Sequence, residues 1–449
     1  MELRDYLIEK LSSEMMESSG IDNSLFKKYD VKRGLRNEDG TGVLVGLTNI
    51  GNVVGYQRNE DGSLTPIDGK LFLRGYEVAD LVNAILAEDR FGFEEVAYLL
   101  LSGRLPGRGD LDMFSKVIKE NMPLKKNILL HIIEMEGHNI MNILSRSVLE
   151  FYTFDRNPDD TSKENLMRQS ITLLSKFPTI IAYAYNMLRH GEMGRSLHIR
   201  HPQKNLSFAE NFLFMLKGGF TPLEAKTLDL LLILHCEHGG GNNSTFTVRV
   251  TSSTGSDTYS SIAAGIGSLK GPKHGGANLK VSDMISYLKS SVTDWKDENA
   301  IAQRLEGILR GDELDGQGLI YGIGHAVYTL SDPRAVLLKK MAAKLAAEKG
   351  RLDEYEFLER IEKVAKETIY KVKGHVKTLC ANVDFYSGFV YDLIGIPKDI
   401  YTPLFAMSRI VGWCAHRNEE LNFEGRRIIR PAYRCVTDEK PYVQISARG

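Results

Sequence analysis

Residues 221–241 of the 449-residue chain read TPLEAKTLDLLLILHCEHGGG. The first four residues are typical of a helix start, with Thr221 as the N-cap, Pro222 at the first helical position and Glu224 placed to complete a capping box. The helix that they open continues through the most apolar run of the chain, 228–234, into His235. This stretch therefore predicts a helix that carries a histidine cluster into a loop of three glycines.

Helix signals recur on the C-terminal side of this stretch. Asp332 and Pro333 open a second predicted helix that continues to Gly350, and the TP pair at 402–403 opens a third. Helical periodicity dominates everything beyond Glu77, where few segments have the pattern of a strand. We therefore expect a mainly α fold.

The candidate strands lie near the N-terminus. Between Gly42 and Glu77, the short β-prone runs 43–45 (VLV) and 52–56 (NVVGY) flank a turn signal at 59–62 (NEDG). Residues 1–40 are polar and charged, which indicates a peripheral segment. Only minor β structure is expected.

Charge and composition exclude several classes of protein. The 57 basic and 58 acidic residues leave a formal charge of -1, so no global field favours nucleic acid or an anionic membrane surface. Four scattered cysteines form no CxxC pair, and the most apolar run is far shorter than the roughly 20 residues that span a bilayer. The N-terminus matches neither a signal nor a transit peptide. We expect a cytoplasmic protein.

Three histidine clusters with adjacent glycines, together with one aspartate, favour an enzyme that uses acid and base groups. They lie at 235–241, 271–278 (GPKHGGAN), 322–327 (GIGHAV) and 382–388 (NVDFYSG). A helix directly after His274 would keep that imidazole neutral, as a donor to an enolate. Aromatic neighbours of Asp384 would raise its pKa toward a range useful for proton abstraction. A turn histidine and a capping aspartate are the alternative interpretations.

The cluster His235-Cys236-Glu237-His238 also offers four side chains of the kinds that bind zinc. Its histidines are not the i, i+4 pair of the common zinc hydrolase motif, and no third ligand is marked nearby, so no metal site is predicted. His235 is as readily a structural residue at a helix end. His238, which enters the glycine loop, is the better functional candidate.

Three arginines are candidate clamps for an anionic substrate. Arg334 stands in the first turn of its helix, where the helix dipole disfavours a cation and a carboxylate ligand would explain the placement. Arg409 lies on an apolar helix, and Arg430 lies in the basic stretch 426–431 (RRIIRP). Ordinary surface salt bridges are the alternative. The spacing of the three in sequence does not show convergence.

Taken in this order, the segments GPxHGGAN, GxGHAV followed by DPR, and NVDxxSG resemble the citrate synthase family. The resemblance extends from about Gly42 to Tyr433. It implies a mostly helical homodimer whose large domain and smaller inserted helical domain close over the substrates. The large domain would comprise 1–278 and 391–449, and the small domain 279–390.

The resemblance also implies catalytic roles. Asp384 would remove a proton from the acetyl methyl group of acetyl-CoA, and His274 would stabilise the enolate. His325 would polarise the oxaloacetate carbonyl as carbon attacks. Hydrolysis of citryl-CoA would then release citrate and CoA, with no cofactor beyond the CoA thioester substrate.

The oxaloacetate site implied by the resemblance contains His238, Arg334 and Arg409. Arg430 would reach into the site of the partner subunit, so that dimerisation completes the clamp.

One departure and two alternatives accompany the resemblance. Many members carry a basic residue for the CoA phosphates where this chain has 328–331 (YTLS), which leaves Lys270 and Lys273 as candidates.

A 2-methylcitrate synthase, which accepts propionyl-CoA, is the nearest alternative because one methylene is worth only about 1–3 kcal/mol in an apolar pocket. A noncatalytic ligand-binding protein is the alternative from another class.

Overall fold

The computed structural model describes residues 3–38, 40–135, 137–374 and 379–448. The chain divides into two compact units, Met1–Leu47 with Ile429–Gly449, and Thr48–Ile428. The expected division into domains at 279 and 390 stays a prediction.

The unit of the two chain ends contains helices α1 (Leu3–Ser18) and α2 (Ser24–Lys28), neither of which buries a residue. The expectation of a strand at 43–45 is wrong. Leu44 is 84% exposed, and the only pairing nearby among the described residues is an isolated bridge between Arg36 and Gly42. Without a neighbouring strand, the β-prone side chains of this run have no ladder to join.

The larger unit begins with one antiparallel sheet of strands β1 (Gly51–Arg58), β2 (Leu64–Leu73) and β3 (Tyr76–Glu77). The predicted turn at 59–62 joins β1 to β2, closed by a hydrogen bond from the Asn59 amide to the Ser63 carbonyl at 2.9 Å. The pairing shifts register between Val54 and Tyr56. The expectation of minor β structure near the N-terminus is confirmed.

All other regular structure described in this unit is helical, apart from a short 3-10 turn, so the mainly α fold is confirmed. The helices are α3 (Val78–Ala87), α4 (Phe93–Ser102), α5 (Arg108–Asn121), α6 (Lys126–Glu134), α7 (Ile140–Phe154), α8 (Lys163–Met193), α9 (Phe208–Lys217), α10 (Pro222–His235), α11 (Asn243–Ser253), α12 (Thr258–Lys270), α13 (Ala277–Ser291), α14 (Glu298–Arg310), α15 (Pro333–Glu348), α16 (Leu352–Lys373), α17 (Val383–Ile394) and α18 (Tyr401–Asn422).

Helix α10 forms as its sequence predicts. The Thr221 hydroxyl accepts from the Glu224 amide at 3.2 Å, and the Glu224 carboxylate accepts from the Thr221 amide at 3.2 Å, which completes the capping box. Beyond its first residues the helix is buried almost all round, and it packs on α4, α9, α15 and α18. Its end at His235 is therefore fixed within the core.

Helix α18 crosses the core and packs on α4, α8, α10, α11 and α12. It begins at Tyr401, after a 3-10 turn at Lys398–Ile400, so the expected start at 402–403 is wrong by one to two residues. The Thr402 hydroxyl donates to the Gly275 carbonyl at 3.0 Å instead of capping the helix. Pro403 falls within the first turn, where its missing N–H leaves no intrahelical bond unmade.

Candidate active site

His235 ends α10 in a fully buried position. Its Nδ1 donates to the Leu231 carbonyl at 2.8 Å, and its ring meets Phe405 edge-on with centroids 4.6 Å apart. Burial lowers the pKa of His235 to about 3, so the imidazole is neutral. These contacts account for His235 as a structural residue at a helix end.

Arg409 projects from α18 to the same helix end. Its Nε donates to the His235 carbonyl at 2.6 Å, while Nη1 and Nη2 are buried and have no hydrogen-bond partner in the described chain. Burial lowers the pKa of Arg409 to about 10, opposed by the charge of Glu237, so the side chain is still a cation at neutral pH. A buried guanidinium with two such nitrogens suits a carboxylate, which can accept from both.

His238 lies in the turn after α10, and its Nε2 is buried without a partner in the described chain. Its ring meets His325 edge-on with centroids 5.1 Å apart. Burial, followed by the charge of Arg334, holds the pKa of His238 well below its ordinary value. The structure thus brings His238, His325, Arg334 and Arg409 into one cluster.

Arg334 is almost fully buried in the first turn of α15, where it pairs with Asp332. The Asp332 carboxylate accepts from Arg334 Nε at 3.0 Å and from Nη2 at 2.7 Å. It also caps α15 and accepts from the Val383 amide at 3.2 Å. Asp332 therefore supplies a carboxylate for the cation at this helix start, so the placement of Arg334 does not require one from a substrate. The role of Arg334 as a clamp stays a prediction.

His325 has its hydrogen-bonding pattern set by its own loop. Its Nδ1 accepts from the amides of Val327 and Tyr328, both at 3.1 Å. Because a backbone N–H can only donate, the proton of the neutral imidazole resides on Nε2. Nε2–H is the group that can donate to a substrate oxygen.

The His325 loop is joined to the start of α17, which carries Asp384. Gly324 donates to the Cys380 carbonyl at 2.8 Å, and the Asn382 side chain donates to the Gly324 carbonyl at 3.0 Å. Asn382 also caps α17 by accepting from the Asp384 amide at 3.0 Å. Two motifs that lie almost 60 residues apart in sequence therefore form one structure.

Asp384 is partly exposed at this helix start. Burial raises the pKa of Asp384 to about 6. The charges of Arg334 and Arg409 lower this pKa, and the charge of Asp332 raises it. A carboxylate with this pKa is ionised at neutral pH and is a stronger base than an ordinary aspartate.

His274 lies in the turn between α12 and α13, and the helix expected directly after it is present. Its Nε2 accepts from the Ser244 amide at 3.3 Å, which leaves the proton of the neutral ring on Nδ1. Burial and the charge of Arg409 lower the pKa of His274 to about 4, so the ring is a neutral donor at physiological pH.

Arg430 belongs to the other compact unit, where it is exposed. Its predicted role in the site of a partner subunit stays a prediction, as do the catalytic roles of His274, His325 and Asp384. Lys273 is exposed beside His274, and Lys270 is exposed at the end of α12.

Sequence reasoning missed a buried chain of hydrogen bonds next to His238, here called the relay. His416 accepts at Nδ1 from Arg249 at 2.8 Å and donates from Nε2 to Glu237 at 2.9 Å. The same Glu237 oxygen accepts from the Gly239 amide at 2.5 Å, which fixes the turn on both sides of His238. The relay joins residues up to 179 positions apart, so no local pattern reveals it.

The described residues contain neither a candidate metal site nor a candidate membrane span. No group of three or more His, Cys, Asp or Glu side chains is arranged to hold a metal ion, including the cluster at 235–238. No helix of the described chain combines the length and the apolar character that a membrane span requires.

Comparison with known proteins gives one family. The family model for "Citrate synthase, C-terminal domain" matches residues 39–432. The citrate synthase of Synechocystis sp. is 35% identical over 386 residues, which cover 85% of this chain and 89% of the relative. That of Haloferax volcanii is 35% identical over 421 residues, which cover 92% and 97%.

Solved structures give the same result. The citrate synthase of Thermotoga maritima superimposes with a TM-score of 0.73 at 29% identity and covers 93% of this chain and 99% of its own. The citrate synthase of Thermoplasma acidophilum, solved as a ternary complex with carboxymethyl coenzyme A and oxaloacetate, superimposes with a TM-score of 0.75 at 27% identity and covers 93% of this chain and 99% of its own.

Proposed function

This chain belongs to the citrate synthase family of acyl-transferring enzymes, and on that basis we propose that it condenses acetyl-CoA with oxaloacetate and hydrolyses citryl-CoA to citrate and CoA. The observation that carries the proposal is the convergence on one cluster of Arg409, with two unpartnered nitrogens, and two histidines, His238 and His325. A small anion with a carbonyl group matches this set of donors.

The proposed chemistry divides between three groups. The Asp384 carboxylate takes a proton from the methyl group of the thioester, and Nδ1–H of His274 donates to the enolate oxygen that forms. The enolate carbon attacks the carbonyl carbon of oxaloacetate, and Nε2–H of His325 gives its proton to the oxygen that becomes the hydroxyl. Water then cleaves the thioester to a carboxylate and the CoA thiol, and proton exchange returns Asp384 to its ionised form and the Nε2 proton to His325.

Arg409 and His238 hold the oxaloacetate in this scheme. The two unpartnered nitrogens of Arg409 face a planar carboxylate with matched geometry, and burial strengthens the contact by excluding water. The proposal includes a homodimer in which Arg430 acts across the interface, a cytoplasmic location, and no requirement for a metal or organic cofactor.

The test is a comparison of kcat/KM for acetyl-CoA and propionyl-CoA, each with oxaloacetate and each followed by the release of CoA. We expect acetyl-CoA to be preferred. A preference for propionyl-CoA would assign 2-methylcitrate synthase activity. Oxaloacetate binding in calorimetry without CoA release from either thioester would contradict the proposal and favour a noncatalytic ligand-binding protein.

A further inference from the structure

Tyr328 contacts three residues of the candidate site. It is 1% exposed, and its ring stacks on His325 with centroids 4.6 Å apart and planes 24° apart. It meets the His238 ring edge-on at 5.6 Å, and the guanidinium carbon of Arg334 lies 5.7 Å from its centroid. No other aromatic side chain of the described residues makes ring contacts with both histidines.

The sheet holds the other side of this ring. A Cβ on Gly69 would lie 2.5 Å from Tyr328 Cδ1 and 2.2 Å from the Ser331 carbonyl oxygen, and one on Gly55 would lie 2.4 Å from the Val327 carbonyl oxygen. The Gly69 amide donates to the Ser331 carbonyl at 3.2 Å. Glycines on two strands therefore let the loop approach closely and keep the tyrosine ring against the imidazole.

This stack restrains the same ring that the two amide hydrogen bonds hold. The Val327 and Tyr328 amides hold Nδ1, and rotation of the imidazole about its Cβ–Cγ bond would move Nδ1 away from them and separate the ring from Tyr328. A flat aromatic face at stacking distance selects one plane, and the plane sets the direction of Nε2–H. The Tyr328 hydroxyl is buried without a hydrogen-bond partner in the described chain, so the ring, and not the hydroxyl, makes the contacts seen in the site.

We propose that Tyr328 is the positioning residue of His325, whose Nε2–H it aims at the carbonyl oxygen of the oxo acid. The inference rests on the proposed function, in which His325 polarises that carbonyl. It assigns a role to the stretch where a CoA-binding cation was expected from the family pattern.

Steady-state kinetics with two substitutions tests the ring separately from the hydroxyl. We expect Tyr328→Phe to retain kcat within about threefold, because it keeps the flat face. Tyr328→Leu should lower kcat by about 10- to 100-fold, since a small misplacement of a reacting group has effects of that size. KM for acetyl-CoA should change much less than kcat.

Two variants serve as controls. Tyr183→Leu truncates a buried tyrosine whose hydroxyl contacts Arg200 and His201, and it should lower the melting temperature without lowering kcat. If Tyr328→Leu does not fold, Tyr328→Met fills more of the volume without a flat face and replaces it. An equal loss of kcat in Tyr328→Phe and Tyr328→Leu would overturn the inference, because the hydroxyl would then be the active part.

Imidazole nitrogen NMR provides a readout that does not need turnover. With ¹⁵N-labelled histidine, and His325 assigned by the signal lost in His325→Gln, all three proteins should show the Nε2–H tautomer, because backbone amides set it, and only Tyr328→Leu should show a broadened Nε2 signal from a ring that moves. An Nε2 signal as sharp in Tyr328→Leu as in the wild type would overturn the inference. A wild-type protein that shows this pattern but releases no CoA would contradict the proposed function and leave the positioning of His325 in place.

Discussion

Asp384 is partly exposed, as a base that must reach a substrate requires. Burial raises the pKa of Asp384 to about 6, which makes it a stronger base than an ordinary aspartate. Asp384→Asn keeps the shape of the side chain but cannot accept the methyl proton. We expect kcat to fall by about 100- to 10,000-fold, the usual range for the loss of a general base. Calorimetry should give an unchanged affinity for oxaloacetate. A variant with near-normal kcat would refute the assignment.

The same pKa gives a prediction for the wild-type pH profile. The base acts in its ionised form, so kcat/KM should be level above about pH 6 and fall about tenfold per unit below it. The pKa of His274 lies near 4, so that ring stays neutral across this range and contributes no second transition. A profile that is flat down to about pH 5 would contradict the role of Asp384.

Asp384→Asn should raise the stability of the protein while it lowers the activity. A raised pKa means that the folded state favours the protonated carboxyl, so its contribution to stability is present in acid and is lost as pH rises through about 6. Asp384→Asn should therefore unfold at a higher temperature than wild type at about pH 8, with a gain of up to about 2 kcal/mol. The gain should disappear near pH 4. A thermal melt at both pH values measures it.

Sequence patterns predicted the residues of the site better than their partners. The motifs identified His238, Arg334 and Arg409 as candidates, yet gave no sign that Asp332 pairs with Arg334 or that Arg409 keeps two unpartnered nitrogens. The Asp332–Arg334 pair joins residues two positions apart, whereas the environment of Arg409 depends on the packing of α18 on α10, which are distant in sequence. The stack of Tyr328 on His325 was missed because the sequence does not show which ring lies against His325, and the family pattern for 328–331 concerns only a basic residue.

At the level of elements, the sheet supports the catalytic loop through close contacts at glycine. Gly69→Ala would place a methyl group 2.2 Å from the Ser331 carbonyl oxygen and displace the loop of His325. We expect a lower melting temperature and a kcat reduced by about tenfold or more. Gly219→Ala, whose Cβ would meet no atom within 4 Å and which also lies outside any helix, is the matched control and should change neither. Equal effects of the two substitutions would show that the contact is unimportant.

Two buried carboxylates join the starts of α4 and α9. Asp229 accepts from the Gly92 and Phe93 amides at 2.7 and 3.2 Å, and Glu94 accepts from the Phe208 amide at 2.9 Å. Burial, followed by the charge of Glu94, raises the pKa of Asp229 to about 8. Because this pKa is raised, the stability that the protonated group contributes is lost as pH rises through about 8.

Removal of one of the two like charges should weaken that pH dependence. Glu94→Gln retains an acceptor for the Phe208 amide and removes the charge that disfavours ionised Asp229. We expect the melting temperature of the wild type to fall between about pH 6 and pH 9, and that of Glu94→Gln to fall less. Glu424→Gln, at an exposed position, should behave as wild type. An identical slope in all three proteins would contradict the coupling.

Local signals predicted elements well where the capping chemistry was explicit. Thr221 with Glu224 and Asp332 with Pro333 mark helix starts that the structure contains. The strand predicted at 43–45 is absent because β propensity without a partner strand forms no sheet. Helix α18 begins before 402 because a 3-10 turn leads directly into it. Both errors come from tertiary context, which a local pattern does not contain.

The predicted role of Arg430 concerns the whole molecule, because it requires two chains to build one site. Arg409 and His238 are supplied from within Thr48–Ile428, whereas Arg430 belongs to the unit of the chain ends. If Arg430 acts across a dimer interface, each site consists of the core of one chain and the arginine of the other. A symmetric dimer would then contain two such shared sites.

Mixing two inactive proteins tests this sharing. Asp384→Asn lacks the base and Arg430→Ala lacks the arginine, and each homodimer should have little activity. In a hybrid dimer, one site carries both defects. The other site is intact, because its Asp384 comes from the Arg430→Ala chain and its Arg430 comes from the Asp384→Asn chain. Random exchange at equal amounts should therefore restore about a quarter of the wild-type kcat per chain. Subunit exchange is verified by native mass spectrometry. Hybrids that form without a gain in activity would place Arg430 in the site of its own chain or outside any site.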